Sequence, residues 1–109
     1  MANRHRGEID AVLDGRSWTL CLTLGALAEL EATYGDEDIT SLTARFSSGR
    51  LSATDMIRII GAGLRGGGHP LADEDVAQMQ AEAGALGFAQ LVSELLAVTF
   101  GDASSGLAA

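Results

Sequence analysis

Asp14-Gly15 is the feature that most constrains this chain, because it stands between two runs whose apolar residues alternate. A two-residue hairpin turn of type I′ needs positive φ at both central positions, and Asp-Gly is among the pairs that supply it most readily. Before it, Ile9, Ala11 and Leu13 share one face of Glu8 to Leu13; after it, Trp18, Leu20 and Leu22 share one face of Arg16 to Leu22, with Thr19 and Cys21 opposite. At Leu24 the period changes. Leu24, Leu27, Leu30 and Tyr34 recur at helical spacing, and Gly35 is a natural stop. A hairpin with one apolar face must bury it, and the helix that follows is its nearest cover.

The remaining pattern is helical. Ile39, Leu42 and Phe46 predict a short helix ending near Ser47-Ser48-Gly49. Ser52 and Asp55 read as a capping box ahead of Met56, Ile57, Ile60 and Leu64. Gly66-Gly67-Gly68 and His69-Pro70 break that helix. Asp73, Glu74 and Asp75 open another, where the helix dipole favours carboxylates, with Val76, Met79 and Ala83 as its apolar face. Phe88, Leu91, Val92, Leu95 and Leu96 define a last helix from Phe88 to Phe100. The expected fold is α+β: an N-terminal β-hairpin packed on a bundle of four to five short helices. Residues 1–6 read as a flexible N-terminus, 7–100 as a single domain and 101–109 as a flexible tail. The expected core is Ile9, Leu13, Trp18, Leu20, Leu24, Leu27, Leu30, Ile57, Ile60, Leu64, Leu91 and Leu95.

Charge and motif spacing narrow the function. Seven basic against 15 acidic residues leave a net charge of −8, which repels phosphate backbones and argues against nucleic-acid binding. No apolar run approaches membrane-spanning length, and the start lacks the apolar core of a signal peptide, so a cytoplasmic location and no membrane partner are expected. Asp36, Glu37 and Asp38 lack the alternating ligands and distant Glu of a calcium loop, so they read as a solvated turn. The three glycines at 66–68 follow a helix and lead into His69-Pro70, without the Lys-Ser or Lys-Thr of a phosphate loop. Cys21 has only His5 and His69 as candidate bases, one in the N-terminus and one in a loop, and two isolated histidines make a poor zinc site. No catalytic residue, cofactor or metal site is therefore expected. Leu42, Phe46, Met56, Ile57, Val76 and Met79 exceed one face per element; they either bury against one another or form a groove for an apolar helix of another chain.

In order, the chain reads GEIDAVLDGRSWTLCLTLGALAELEATYG, then Ile39 and Leu42, Leu51-Ser52 with Asp55, Ile59-Ile60, Ala62-Gly63-Leu64-Arg65-Gly66-Gly67-Gly68, and a Leu-rich helix ending Thr99-Phe100. From about Gly7 to Phe100 this resembles the small tail protein of gene transfer agents and siphophage-like tails, a group placed with the phage tail assembly chaperones. The resemblance implies a non-enzymatic assembly chaperone that covers the apolar helices of the tape-measure protein until tube subunits polymerise, with other tail proteins as further partners. The same resemblance admits a second role, a tail tube or minor tail component retained in the particle. A third reading, an adaptor for a partner unrelated to phage, rests on no motif. Partner contact is expected at Phe46, Met56, Met79 and the connector Arg65, Gly66, Gly67, Gly68 and His69, because Met- and Gly-rich surfaces adapt to varied helices. An exposed hairpin edge would also allow a homo-oligomer.

Overall fold

A computed structural model describes residues 2–35, 37–48 and 51–101 of the chain. The fold is α+β. Strands β1 (Glu8–Leu13) and β2 (Arg16–Cys21) pair antiparallel in the register Glu8↔Cys21 through Leu13↔Arg16. Asp14 (φ 54°) and Gly15 (φ 72°) form the turn, with the two positive φ values that a type I′ hairpin demands. Ile9, Ala11 and Leu13 are buried, whereas Asp10 and Val12 face solvent. Trp18 closes the end of the hairpin. Its Nε1–H donates to the Leu13 carbonyl (3.1 Å), and Arg16 stacks on its ring at 4.7 Å.

Helix α1 (Leu24–Thr33) starts three residues after β2, capped by Thr23, whose Oγ1 accepts the Ala26 N–H (3.1 Å). Its buried positions are Ala26 and Leu30, one turn apart. Leu24, expected in the core, is instead 82% exposed. It lies two residues before Ala26, about 200° round the helix, and so points away from α3, on which α1 packs; the hairpin is covered chiefly by α3 and α5 rather than by α1, the helix next in sequence. Helix α2 (Ile39–Ser47), capped by Asp38, buries Leu42 and Phe46. Helix α3 (Ala53–Gly66) is the hub, touching β2, α1, α4 and α5. The capping box is present: Ser52 Oγ accepts the Asp55 N–H (3.1 Å) and Asp55 Oδ2 accepts the Ser52 N–H (3.0 Å).

The second half departs from the expected pattern at one place. The helix opened by Asp73 runs only to Val76 (α4), not to Ala83. The chain then turns to meet the hairpin: Ala81 bridges Leu13, Asp14 N–H donates to the Gln80 carbonyl and Gln80 N–H to Asp14 Oδ1, both at 2.9 Å. Tertiary pairing to β1 outcompetes continued helix over residues 77–83. Helix α5 (Gly84–Phe100) consequently begins four residues before Phe88, with Gly84 at φ 60° on its first position. It buries Val92 and Leu95 against the sheet and α3.

The buried core contains Ile9, Leu13, Leu20, Leu30, Ile60, Leu64 and Leu95, with Trp18, Leu27, Ile57 and Leu91 packed half-buried against it. At the N-terminus, Arg4–Arg6 form one turn of 3-10 helix, and Arg4 pairs with Glu94 of α5 (2.9 Å). The expected flexible tail lies outside the described residues beyond Gly101.

Candidate protein-interaction site

The glycine-rich connector is consumed inside the fold. Gly68 (φ 96°) ends α3 in a Schellman motif, in which His69 N–H donates to the Leu64 carbonyl (2.9 Å) and Gly68 N–H to that of Arg65 (3.1 Å). Gly66 and Gly67 abut strand β2. A Cβ on Gly66 would press into the Cys21 carbonyl, and one on Gly67 into that of Thr19. Arg65 binds Glu29 of α1, Asp73 of α4 (3.0 Å) and the Leu71 carbonyl (2.8 Å), tying three elements together. Burial alone would lower its pKa, but the two carboxylates more than reverse that and keep the guanidinium charged. His69 sets its ring edge-on to Trp18, with centroids 5.0 Å apart. The connector residues named from the sequence as partner contacts thus have internal contacts; Gly68 is exposed, and Arg65, Gly66, Gly67 and His69 are half-buried.

Phe46 is likewise in the core, 5% exposed, with its ring edge-on to Tyr34 at 5.6 Å. Beside it lies a polar cluster. The Tyr34 hydroxyl donates to Asp55, and Arg45 and Arg58 lie over the Tyr34 ring at 4.9 and 5.1 Å. Burial pushes the Asp55 carboxyl up, but hydrogen bonds from Tyr34 and Ser52 outweigh it and hold the pKa below the usual range. Burial and the same bond push the Tyr34 phenol up to about 12. This cluster seals the α1–α2–α3 junction as a structural joint.

Met56 and Met79 are the two predicted contacts that come together. They line an apolar cleft of about 210 Å³ with Ile57, Ile60, Val76 and Phe88, between α3, α4 and the start of α5. Met56, Ile57, Met79 and Phe88 are half-exposed there. A shallower depression continues past Met79 and Phe88 over Gln80 and Glu82. The sequence pattern singles out none of Phe88, Ala85 and Ala77 as contacts; Phe88 enters it only as the first apolar position of the last helix. Phe46 borders a separate hollow between α2 and α5, with Leu51, Leu96 and Phe100.

Burial and nearby Glu8 push the Cys21 thiol up, away from the reactive thiolate. Among the described residues there is no cluster of His, Cys, Asp or Glu able to hold a metal ion, and no helix long and apolar enough to cross a membrane.

Fold and cleft together define a small α+β domain whose accessible apolar surface suits contact with another protein. The chain belongs to the family described as phage tail tube protein, GTA-gp10, the tail proteins of gene transfer agents, whose sequence model matches residues 6–102. It is therefore a phage-like tail protein. No curated protein and no solved structure matches the chain significantly.

Proposed function

We propose that this protein is a non-catalytic structural component retained in a phage-like tail, where it joins other tail proteins through the apolar cleft. The family match over residues 6–102 carries the reading. The sheet constrains how such a subunit would assemble. Tube rings commonly close through sheet edges, but the described residues form only two strands. The outer edge of β2 is covered by Gly66 and Gly67, while β1 is engaged by Asn3 at one end and by Gln80 at the other. Assembly would then run through side chains of the helices and the cleft between them.

That scarcity of sheet edge also favours a second reading, the tape-measure chaperone that leaves before the tail is complete, because a cleft for apolar helices is what such a chaperone needs. Quantitative mass spectrometry of purified particles beside the lysate of producing cells separates the two. A fixed copy number per particle is the expected result; abundance in lysate with absence from particles would replace the structural role with the chaperone role.

A further inference from the structure

We propose that the cleft between α3, α4 and α5 seats one amphipathic helix of another protein, carrying Arg or Lys beside its apolar stripe. The inference rests on the cleft being the contact surface named above, and adds the chemistry of what fills it.

The floor selects a helix. The walls are side chains of Met56, Ile57, Ile60, Val76, Met79 and Phe88, with no open strand edge to pair with an extended segment. A segment entering without a backbone partner must satisfy its own N–H and C=O groups, which a helix does. A cavity of roughly 150 Å³ holds a benzene ring. The 210 Å³ here accepts one aromatic side chain, or two aliphatic ones from successive turns. Met56 and Met79 can re-pack around either.

The rim selects the charge. Glu82 lines the depression that continues the cleft. It pairs with no cation among the described residues. The chain has few cations to send there. Its sequence contains no lysine, and its described arginines are engaged elsewhere: Arg4, Arg6, Arg45 and Arg65 in ion pairs, Arg16 on Trp18, Arg58 on Tyr34. A second copy of this chain, at net −8, would bring acid to an acidic rim. A basic helix neutralises it.

The test uses the full chain and two fluorescent synthetic helices about 18 residues long. Both carry Leu along one stripe; one has Arg flanking it, the other Glu. Fluorescence anisotropy at low salt should show the Arg peptide binding about tenfold more tightly, with the gap closing at high salt. Met79→Asp should weaken the Arg peptide at least about tenfold, whereas Val12→Asp on the outer sheet face should leave it unchanged. Glu82→Gln, at an exposed side chain, should narrow the preference between peptides even if Met79→Asp proves poorly folded by thermal melting. Equal affinity for both peptides, or binding to neither, overturns the proposal. So does a concentration-dependent dimer in sedimentation that Met79→Asp abolishes, which would make a second copy the occupant. Copy number in particles is independent of these peptides, so this proposal and the structural role can fail separately.

Discussion

Gly66→Ala pits two physical rules against each other, and the structure says which wins. In a helix, alanine is preferred to glycine by about 1 kcal/mol, so propensity alone predicts stabilisation. At position 66 the added Cβ would lie 3.2 Å from the Cys21 carbonyl carbon and 3.4 Å from the Ala26 Cβ, and closer still to the Cys21 oxygen. Favourable carbon contacts begin near ~3.5 Å, so the end of α3 must retreat from β2 by roughly an ångström. Both partners at the clash are backbone, and no rotamer change relieves it. Retreat loosens the seam in which Leu20 meets Gly63 and Leu64. Overpacking of this kind costs up to about 3 kcal/mol. Subtracting the propensity gain leaves a loss of about 2 kcal/mol, or roughly 8–16 °C in Tm for a domain near 100 residues. Gly25→Ala is the control: it is helical and exposed, with nothing nearer its added Cβ than Thr23 Oγ1 at 3.9 Å, so it should raise Tm by a few degrees. Thermal melts followed by circular dichroism measure both. A Gly66→Ala protein that melts at or above the wild-type temperature refutes the close-approach argument.

Asp55→Asn should cost about 1–3 kcal/mol in urea unfolding at pH 7, since it removes the carboxylate that bonds Tyr34 and caps Ser52. Because the folded pKa of Asp55 lies below its unfolded value, its contribution is complete above about pH 5 and fades as pH falls through the lower folded value. Wild type should therefore lose more stability than Asp55→Asn on acidification; parallel losses would show that the carboxylate is not held down. Arg65→Met should cost about 1–2 kcal/mol and speed amide exchange across residues 72–77, by releasing Asp73 and the Leu71 carbonyl. Unchanged exchange would mean that apolar packing alone holds α4. Leu24→Ser should shift stability by no more than about 0.5 kcal/mol, as befits an exposed side chain; a larger drop would place Leu24 in a contact absent from the monomer.

Most local signals in the sequence match the structure, the exposed Leu24 being an exception. The Asp14-Gly15 turn, the Thr23-to-Tyr34 helix, the Ser52–Asp55 capping box and the acidic first turn of α4 all depend on residues within four positions of one another. The other errors fall where distant segments compete. Residues 77–83 gave up a helical pattern because Asp14 offered Gln80 two hydrogen bonds from 66 positions away, which no window of neighbouring residues could reveal. The glycines at 66 and 67 read as a break, and Gly68 does end the helix. The other two serve a contact with β2 whose only trace in sequence is the absence of a side chain. Of the cleft lining, both methionines were legible as surplus apolar residues on separate segments. Their meeting across the cleft was not, since it depends on the turn that follows Val76.

The position of α5 bears on how the protein is made. Its Val92 and Leu95 fill the centre beneath β1 and β2, and Arg4 reaches Glu94 across a separation of 90 residues. During synthesis, the hairpin and α3 can pack on each other, but the faces of β1 and α3 that meet α5 stay uncovered until nearly the whole domain has emerged. A product that stops before α5 would lack the helix that packs on β1, whose Ile9, Ala11 and Leu13 are buried in the complete domain, and would become a substrate for proteases or aggregation. Folding of the complete domain therefore depends on its last helix.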